Sequence, residues 1–170
     1  MNPMKAIRIE KMTLNVGAGK DQAKLNKGVI LIKHLTGIEP VKTATQKRIP
    51  SWGLRPGLPI GCKLTLRKDV DPLLKQLLGA KDNILKEDNF DECGNVSFGI
   101  HEYIDIPGVK YVPEIGVMGL QICITLQRPG YRVKKRVLKK GAISKTHRIN
   151  KQDAIQFMKE RFALKLEEEQ

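Results

Sequence analysis

The stretch IGCKLTLR, residues 60–67, has the alternation of a strand that is buried on one face only. Its apolar side chains recur at every second position, and Gly61, Lys63, Thr65 and Arg67 stand between them. Because successive side chains of a strand point to opposite faces, the pattern predicts one apolar face and one polar, cationic face. A strand of this kind is typical of an antiparallel sheet with one face packed and the other open.

Four other segments have strand patterns of the same kind. The first alternates Met12, Leu14 and Val16 after a slip in phase near Lys11. The second is short and rich in β-branched residues, and the remaining two alternate over six to eight positions. The predicted strands are 7–16, 41–45, 60–67, Asn95–Ile100 and Leu120–Gln127.

Three segments have the spacing and end signals of helices. Asp21 precedes the first as an N-cap and Gly37 ends it, Asp71 and Pro72 open the second, and Asn150 precedes the third. The predicted helices are 22–36, 73–86 and 151–166. Their apolar faces are assigned to Ala23, Leu25, Val29, Ile32 and Leu35 in the first helix, and to Ala154, Ile155, Met158, Phe162 and Leu166 in the third.

This order of elements predicts an α+β fold with one mostly antiparallel sheet and helices packed on one face. A long basic loop joins the second and third strands. With 170 residues and 19.1 kDa, the chain is expected to form a single domain over 1–170, with a disordered tail at 166–170.

The charge indicates a polyanionic partner. The net charge is +13 and the isoelectric point is near 9.8, an excess that is typical of nucleic-acid-binding proteins. No acid lies between Glu39 and Asp69 or between Glu114 and Asp153, whereas acids dominate between Asp69 and Glu114. One fold can bring the two basic segments to one side, which favours RNA over a generally solvated surface.

Several classes of protein and site are not supported. No apolar run approaches the roughly 20 residues that cross a bilayer, and the N-terminal residues lack a signal-peptide core. The cysteines, Cys62, Cys93 and Cys123, are scattered and odd in number, which suits buried thiols in a reducing compartment and predicts no metal site. No metal or cofactor is expected, and the histidines and carboxylates form no catalytic pattern.

The segment NVGAGKD, 15–21, is the best candidate for nucleotide chemistry. It lies between a strand and a helix, but Leu14 occupies the first glycine position of a phosphate loop and Asp21 the position of the magnesium-binding Ser or Thr. Gln22 also replaces the third glycine of the dinucleotide fingerprint. Gly17 and Gly19 still permit a close backbone approach, and a helix N-terminus favours phosphate.

The segment QKRIPSWGLRPGLP, 46–59, forms the loop between the second and third strands. It holds Lys47, Arg48, Arg55 and the single tryptophan, Trp52, among prolines and glycines. Pro limits the backbone conformations and Gly permits turns, so the loop is expected to extend without a core of its own.

Five segments together resemble the family of large-subunit ribosomal proteins called L-five, in its archaeal form. They are NVGAGK, TGIEPVKTATQKRIPSWGLRPGLPIGCKLTLR, NVSFGI, IGVMGLQICITLQRPGYRVKKR and KTHRIN, in that order. The resemblance runs from about residue 8 to about residue 164. RPGYR followed by KTHRIN makes the form archaeal rather than bacterial. The loop reads IPSWGLRPG where bacterial members tend to carry a Phe and further basic residues.

The resemblance implies a structural, non-catalytic protein of the large ribosomal subunit in the cytoplasm. It implies contacts with 5S rRNA, large-subunit rRNA, peptidyl-site tRNA and a small-subunit head protein, the last on the exposed side of the acidic block, and none with a membrane. Carried over by position, the residues for 5S rRNA are Asn15, Gly17, Thr43, Lys63, Thr65 and Arg67, to which the basic segment adds Arg128 and Arg132. Those of the loop that would contact tRNA are Gln46, Lys47, Arg48, Trp52 and Arg55.

Two functions therefore remain open from the sequence. The first is an RNA-binding ribosomal component without catalytic activity. The second is a nucleotide-dependent enzyme that uses the glycine loop 15–20.

Overall fold

A computed structural model describes residues 2–167 of the chain. Over these residues the chain divides into two compact units. The first unit combines 2–12, 67–98 and 123–167, and the second combines 13–66 and 99–122. Among the described residues, no helix is both long and apolar enough to span a membrane.

The predicted α+β class is confirmed. The strands are β1 (Arg8–Gly17), β2 (Val41–Ala44), β3 (Pro59–Leu66), β5 (Asn95–Ile100) and β6 (Leu120–Gln127), which form a mostly antiparallel sheet in the order β2-β3-β1-β6-β5. Two-residue strands, β4 (Ile84–Leu85) and β7 (Lys165–Leu166), pair in parallel as a separate small sheet. The helices are α1 (Gln22–Thr36), α2 (Val70–Gly79), α3 (Arg132–Lys135) and α4 (Lys151–Phe162).

The alternation read from the sequence sets the faces of the long strands. Cys62 and Leu64 of β3 are buried while Lys63 between them is exposed. In β1, Leu14 and Val16 are buried in the same way, with less buried residues between them. Each strand therefore has one face in the apolar core and one face open.

In the second unit, α1 has the ends that the sequence predicted. The Asp21 carboxylate accepts hydrogen bonds from the amides of Ala23 and Lys24 at 2.9 and 3.2 Å. Gly37 is left-handed, with φ of 71°, and its amide donates to the Lys33 carbonyl, as expected for a C-terminal glycine.

The buried side of α1 differs from the predicted one. The buried residues are Leu25, Gly28, Leu31 and Ile32, whereas Ala23 is exposed. Gly28 brings the helix close to the sheet, since a Cβ there would lie 3.0 Å from Val16 Cγ1 and 3.2 Å from Cys62 Sγ.

In the first unit, two predicted helices are shorter than expected. α2 ends at Gly79 and α4 at Phe162, and β4 and β7 lie within the stretches that were expected to extend these helices. The Lys165 amide donates to Asn83 O at 2.8 Å and the Glu167 amide to Leu85 O at 3.0 Å. Leu166, which was assigned both to the face of α4 and to a tail, is thus a strand residue, and residues 168–170 lie outside the described part.

We expect Asp21→Ala to lower the free energy of unfolding by about 1 kcal/mol, because two amides of the first turn of α1 lose their acceptor. Urea unfolding followed by circular dichroism measures this change. Asp21→Asn should recover most of the loss, because the amide oxygen of Asn also accepts from these positions. An equal loss in both variants would contradict the capping role.

Candidate nucleic-acid interface

The second unit has a polar face on its strands. We call it the polar sheet face and define it by Thr13, Asn15, Thr43, Lys63, Thr65 and Gln121. Lys63 and Gln121 are exposed, and the others are partly buried. Thr13 Oγ1 lies 3.4 Å from Thr65 Oγ1, and the Asn15 amide donates to Gln121 Oε1 at 3.1 Å. These hydrogen bonds form two pairs that bridge different strands, on a face of neutral polar groups with one cation.

Gly61 makes the closest backbone approach in this face. It lies opposite Thr43 in the pairing of β2 with β3. A Cβ on Gly61 would lie 2.8 Å from the Val16 carbonyl oxygen and 3.2 Å from Thr43 Oγ1. Because Gly61 has no side chain, β3 can lie close to the backbone of β1 at Val16. The Thr43 hydroxyl of β2 lies beside Gly61.

The turn after β1 is organised differently from a phosphate loop. The amides of Ala18 and Gly19 both donate to the Ile60 carbonyl, at 2.9 and 3.0 Å. Since Asp21 already caps the first turn of α1, a carboxylate occupies the place where a phosphate was expected. The expectation that the start of this helix favours phosphate stays a prediction, with the Asp21 carboxylate as a competing anion.

Gly17, by contrast, is exposed and has open space around it. An added Cβ there would meet no heavy atom within 4 Å, and its φ is not in the left-handed region. Nothing within the described structure requires glycine at this position. If a binding measurement shows that glycine is required at position 17, the requirement therefore comes from a bound partner.

The opposite side of β3 carries a buried thiol. Cys62 is fully buried, and burial raises the pKa of its thiol while the charge of Lys42 acts weakly in the opposite direction. The neutral, inaccessible thiol is an ordinary part of the apolar core.

The loop between β2 and β3 is more ordered than its composition suggested. At its base, the Thr45 amide donates to Leu58 O at 2.9 Å and the Gly57 amide donates to Thr45 O at 2.9 Å. Nearer the tip, Ile49 and Leu54 exchange two backbone hydrogen bonds of 3.1 Å. The loop is thus a small closed hairpin.

The tip of this hairpin presents the tryptophan. Residues Pro50–Trp52 form a 3₁₀ turn in which 67% of Trp52 is exposed, while Leu54 is buried. Lys47, Arg48 and Arg55 are exposed and Gln46 also lies on the surface. A Cβ at Gly53 would lie 3.8 Å from Lys20 Cδ, so the hairpin tip lies beside the turn after β1.

The remaining predicted site residues belong to the first unit. Arg67 directly follows β3 and is exposed, as is Arg132 at the start of α3. Only 11% of the Arg128 side chain is exposed. Its guanidinium donates to Asp153 Oδ2 at 2.9 Å and to the Arg148 carbonyl at 3.1 Å, so its charge is already directed at protein acceptors.

Sequence reasoning missed three residues that the structure adds to the surface of the second unit. Thr13 and Gln121 bond to two predicted site residues, and Lys20 lies beside the hairpin tip. Thr13 was detectable, because it alternates in phase with Asn15 along β1. The contribution of Gln121 depends on the sheet order, which the local pattern does not contain.

Two family models match the chain. The model described as Ribosomal protein L5 matches residues 2–55. The model that describes the C-terminus of the same ribosomal family matches residues 59–157. Together they extend over nearly the whole chain, with a boundary in the loop between β2 and β3.

Three similar proteins are archaeal. The large ribosomal subunit protein uL5 of Nanoarchaeum equitans is 47% identical over 167 residues, which are 97% of this chain and 98% of that protein. The uL5 of Sulfurisphaera tokodaii is 46% identical over 95% of this chain and 93% of that protein. The uL5 of Methanosphaera stadtmanae is 40% identical over 98% and 100%.

Proposed function

The chain belongs to the ribosomal protein L5 family in its archaeal form, and on this premise we propose that it binds 5S rRNA through the polar sheet face. It is a protein of the large ribosomal subunit in the cytoplasm and binds rRNA there. The family is one of structural ribosomal proteins and not of enzymes. The interpretation as a nucleotide-dependent enzyme is therefore wrong.

The observation that carries the 5S rRNA proposal is the composition of the polar sheet face. Hydroxyls and amides that bond across strands suit the 2′-hydroxyls and edges of an RNA minor groove, and exposed Lys63 suits its phosphates. Arg67 and Arg132, exposed on the first unit, add phosphate contacts. Arg128 is proposed to support the same RNA by holding the backbone in place through hydrogen bonds to the carbonyls of His147, at 3.5 Å, and Arg148.

We expect Lys63→Ala combined with Arg67→Ala to weaken 5S rRNA binding by about tenfold or more, because two phosphates lose their cationic partners. Filter binding at several salt concentrations measures the affinity. The slope of log affinity against log salt should become shallower by roughly 0.7–0.9 for each phosphate that is no longer neutralised. Thermal melting should change little, since both side chains are exposed.

The matched control is Lys33→Ala combined with Lys81→Ala, which removes the same charge elsewhere. An equal loss of affinity in this control would mean that only net charge matters. If the Lys63 and Arg67 variant instead unfolds the protein while the folded fraction still binds normally, the face is structural.

We expect Gly17→Ala to weaken 5S rRNA binding without lowering the free energy of unfolding, which the restricted unfolded chain can raise by about 0.4–1 kcal/mol. The added methyl group has open space in the free protein, so it would interfere only with a closely approaching RNA. Filter binding and urea unfolding on the same preparation separate the two effects. Unchanged affinity would remove Gly17 from the interface.

Two further contacts complete the proposed function. The hairpin between β2 and β3 is proposed to contact peptidyl-site tRNA through Gln46, Lys47, Arg48, Trp52 and Arg55. This is supported by the exposure of its indole and cations. The exposed side of the acidic block between Asp69 and Glu114 is proposed to meet a small-subunit head protein.

A further inference from the structure

The first unit contains a cationic cleft outside the polar sheet face. The cleft has a volume of about 500 Å³, and its walls include Glu92, Cys93, Tyr131, Lys134, Lys145 and Arg148. The geometry points to a binding site for one or two unpaired RNA nucleotides, with the base in the cleft and the neighbouring phosphates on the three cations. The inference rests on the proposed function in that it takes RNA as the partner.

The walls of the cleft are held in place by partly buried polar contacts. The Tyr131 hydroxyl donates to the His147 carbonyl at 3.2 Å and accepts from the Ile149 amide at 3.0 Å. The His147 ring packs edge-on against Tyr131 and lies 2.9 Å from the Pro129 carbonyl oxygen. These contacts fix the backbone of 129–149, although most of it has no regular secondary structure. The cationic side chains of this segment are therefore attached to backbone of defined position.

On the opposite wall, the turn at Glu92 and Cys93 is packed against the same segment. Gly94, with φ of +77°, lies so close to Ile149 that an added Cβ would be 2.5 Å from Ile149 Cγ2. Ile149 is buried. The two walls of the cleft are therefore in direct contact at its base and cannot part without exposing an apolar side chain.

The charges of the cleft are available to a ligand. Within residues 2–167, none of Lys134, Lys145 and Arg148 forms an ion pair, although Lys135 pairs with Glu10 and Arg128 with Asp153. The Arg148 Nε donates to the Ile143 carbonyl at 3.4 Å. Three cations oppose one acid, Glu92, so an anion is favoured.

The shape favours an unpaired nucleotide over a duplex. A pocket of several hundred Å³ lined by an aromatic ring, aliphatic side chains and a few charges is typical of small-ligand sites. Proteins read single-stranded RNA by placing its bases against such surfaces, whereas a duplex keeps its bases stacked and offers only its backbone and groove. A peptide rich in acids would match the charge but would leave the ring without a stacking partner.

The native cysteines permit a direct test with the whole protein. Cys93 lies in the cleft, Cys123 is exposed on the open face of β6, and Cys62 is buried. Iodoacetamide labelling rates at each cysteine, followed by mass spectrometry, are compared for the free protein and after addition of a 12-nucleotide oligouridylate. We expect the oligonucleotide to slow labelling of Cys93 at least threefold more than a 12-base-pair RNA duplex does.

Charge variants locate the effect. Lys145→Gln with Arg148→Gln should abolish the protection of Cys93 and weaken oligouridylate binding by about tenfold. It should also reduce the salt slope by roughly 1.4, or 0.7 for each phosphate of a single strand. The matched control, Lys75→Gln with Lys159→Gln, removes the same charge from exposed positions of α2 and α4 in the same unit and should retain the protection.

Three outcomes would overturn the inference. The first is that the duplex or a 12-residue polyglutamate protects Cys93 as well as the oligouridylate does. The second is that the oligouridylate does not protect Cys93. The third is that the control variant loses as much protection and oligouridylate affinity as the variant of the cleft. The proposed function is distinguishable in the same experiment, because 5S rRNA on the sheet should slow labelling of Cys123. Protection of Cys123 by 5S rRNA without protection of Cys93 by oligouridylate would retain the sheet interface and exclude the cleft.

Discussion

Gly61→Ala is expected to destabilise the protein by about 2 kcal/mol and to lower its melting temperature by roughly 4–8 °C. The added methyl carbon would lie 2.8 Å from the Val16 carbonyl oxygen, closer than van der Waals contact allows. The obstacle is backbone rather than a movable side chain, so β3 itself has to shift. Differential scanning calorimetry and urea unfolding measure the loss.

Gly17→Ala is the matched control for stability, because the same methyl group there meets open space. Alanine also restricts the unfolded chain, which by itself would stabilise either variant by a few tenths of a kcal/mol or more. A melting temperature of Gly61→Ala that equals that of Gly17→Ala would show that β3 tolerates the methyl group. In that case, glycine at this position would not be explained by strand packing.

The sequence predicted the long elements because their signals are local. The alternation of 60–67 and the capping residues Asp21 and Asn150 depend on neighbours along the chain, and the structure has the corresponding strand and helix starts. β4 and β7 escaped prediction because each has only two residues and is defined by its pairing with the other. Their partner lies some eighty residues away, beyond any local pattern.

The candidate site was likewise predictable where its residues follow a local pattern, and not where their contacts depend on distant parts of the chain. Alternation placed Lys63 and Thr65 on one exposed face, and the structure agrees with that placement. The Asn15 to Gln121 hydrogen bond depends on the order of strands. Arg128 resembled the other cations of its segment, but Asp153, 25 residues later, and the Arg148 carbonyl take up its hydrogen bonds. Whether a cation is free to meet RNA is decided by tertiary contacts, which charge counting does not include.

Trp52→Ala in the hairpin tip is expected to weaken the retention of peptidyl-site tRNA on ribosomes by about 1–3 kcal/mol, or roughly 5- to 150-fold, if the indole stacks on a base or sugar. Most of the indole is exposed in the free protein, so its removal leaves the fold intact. Ribosomes reconstituted with the variant are tested by tRNA dissociation rates. Binding to isolated 5S rRNA should stay unchanged, because the tip lies outside the polar sheet face.

Stacking and charge differ in how the affinity for tRNA depends on salt concentration. This difference separates the contribution of Trp52 from those of Arg48 and Arg55. Trp52→Ala should lower the affinity for tRNA at every salt concentration without changing the slope. Arg48→Gln with Arg55→Gln should reduce the slope of log affinity against log salt by about 0.7–0.9 for each phosphate that the arginines neutralise. Trp52→Phe keeps an aromatic face and should retain most of the affinity. If Trp52→Ala and the Arg48→Gln with Arg55→Gln variant both retain wild-type tRNA binding, the hairpin tip does not contact tRNA.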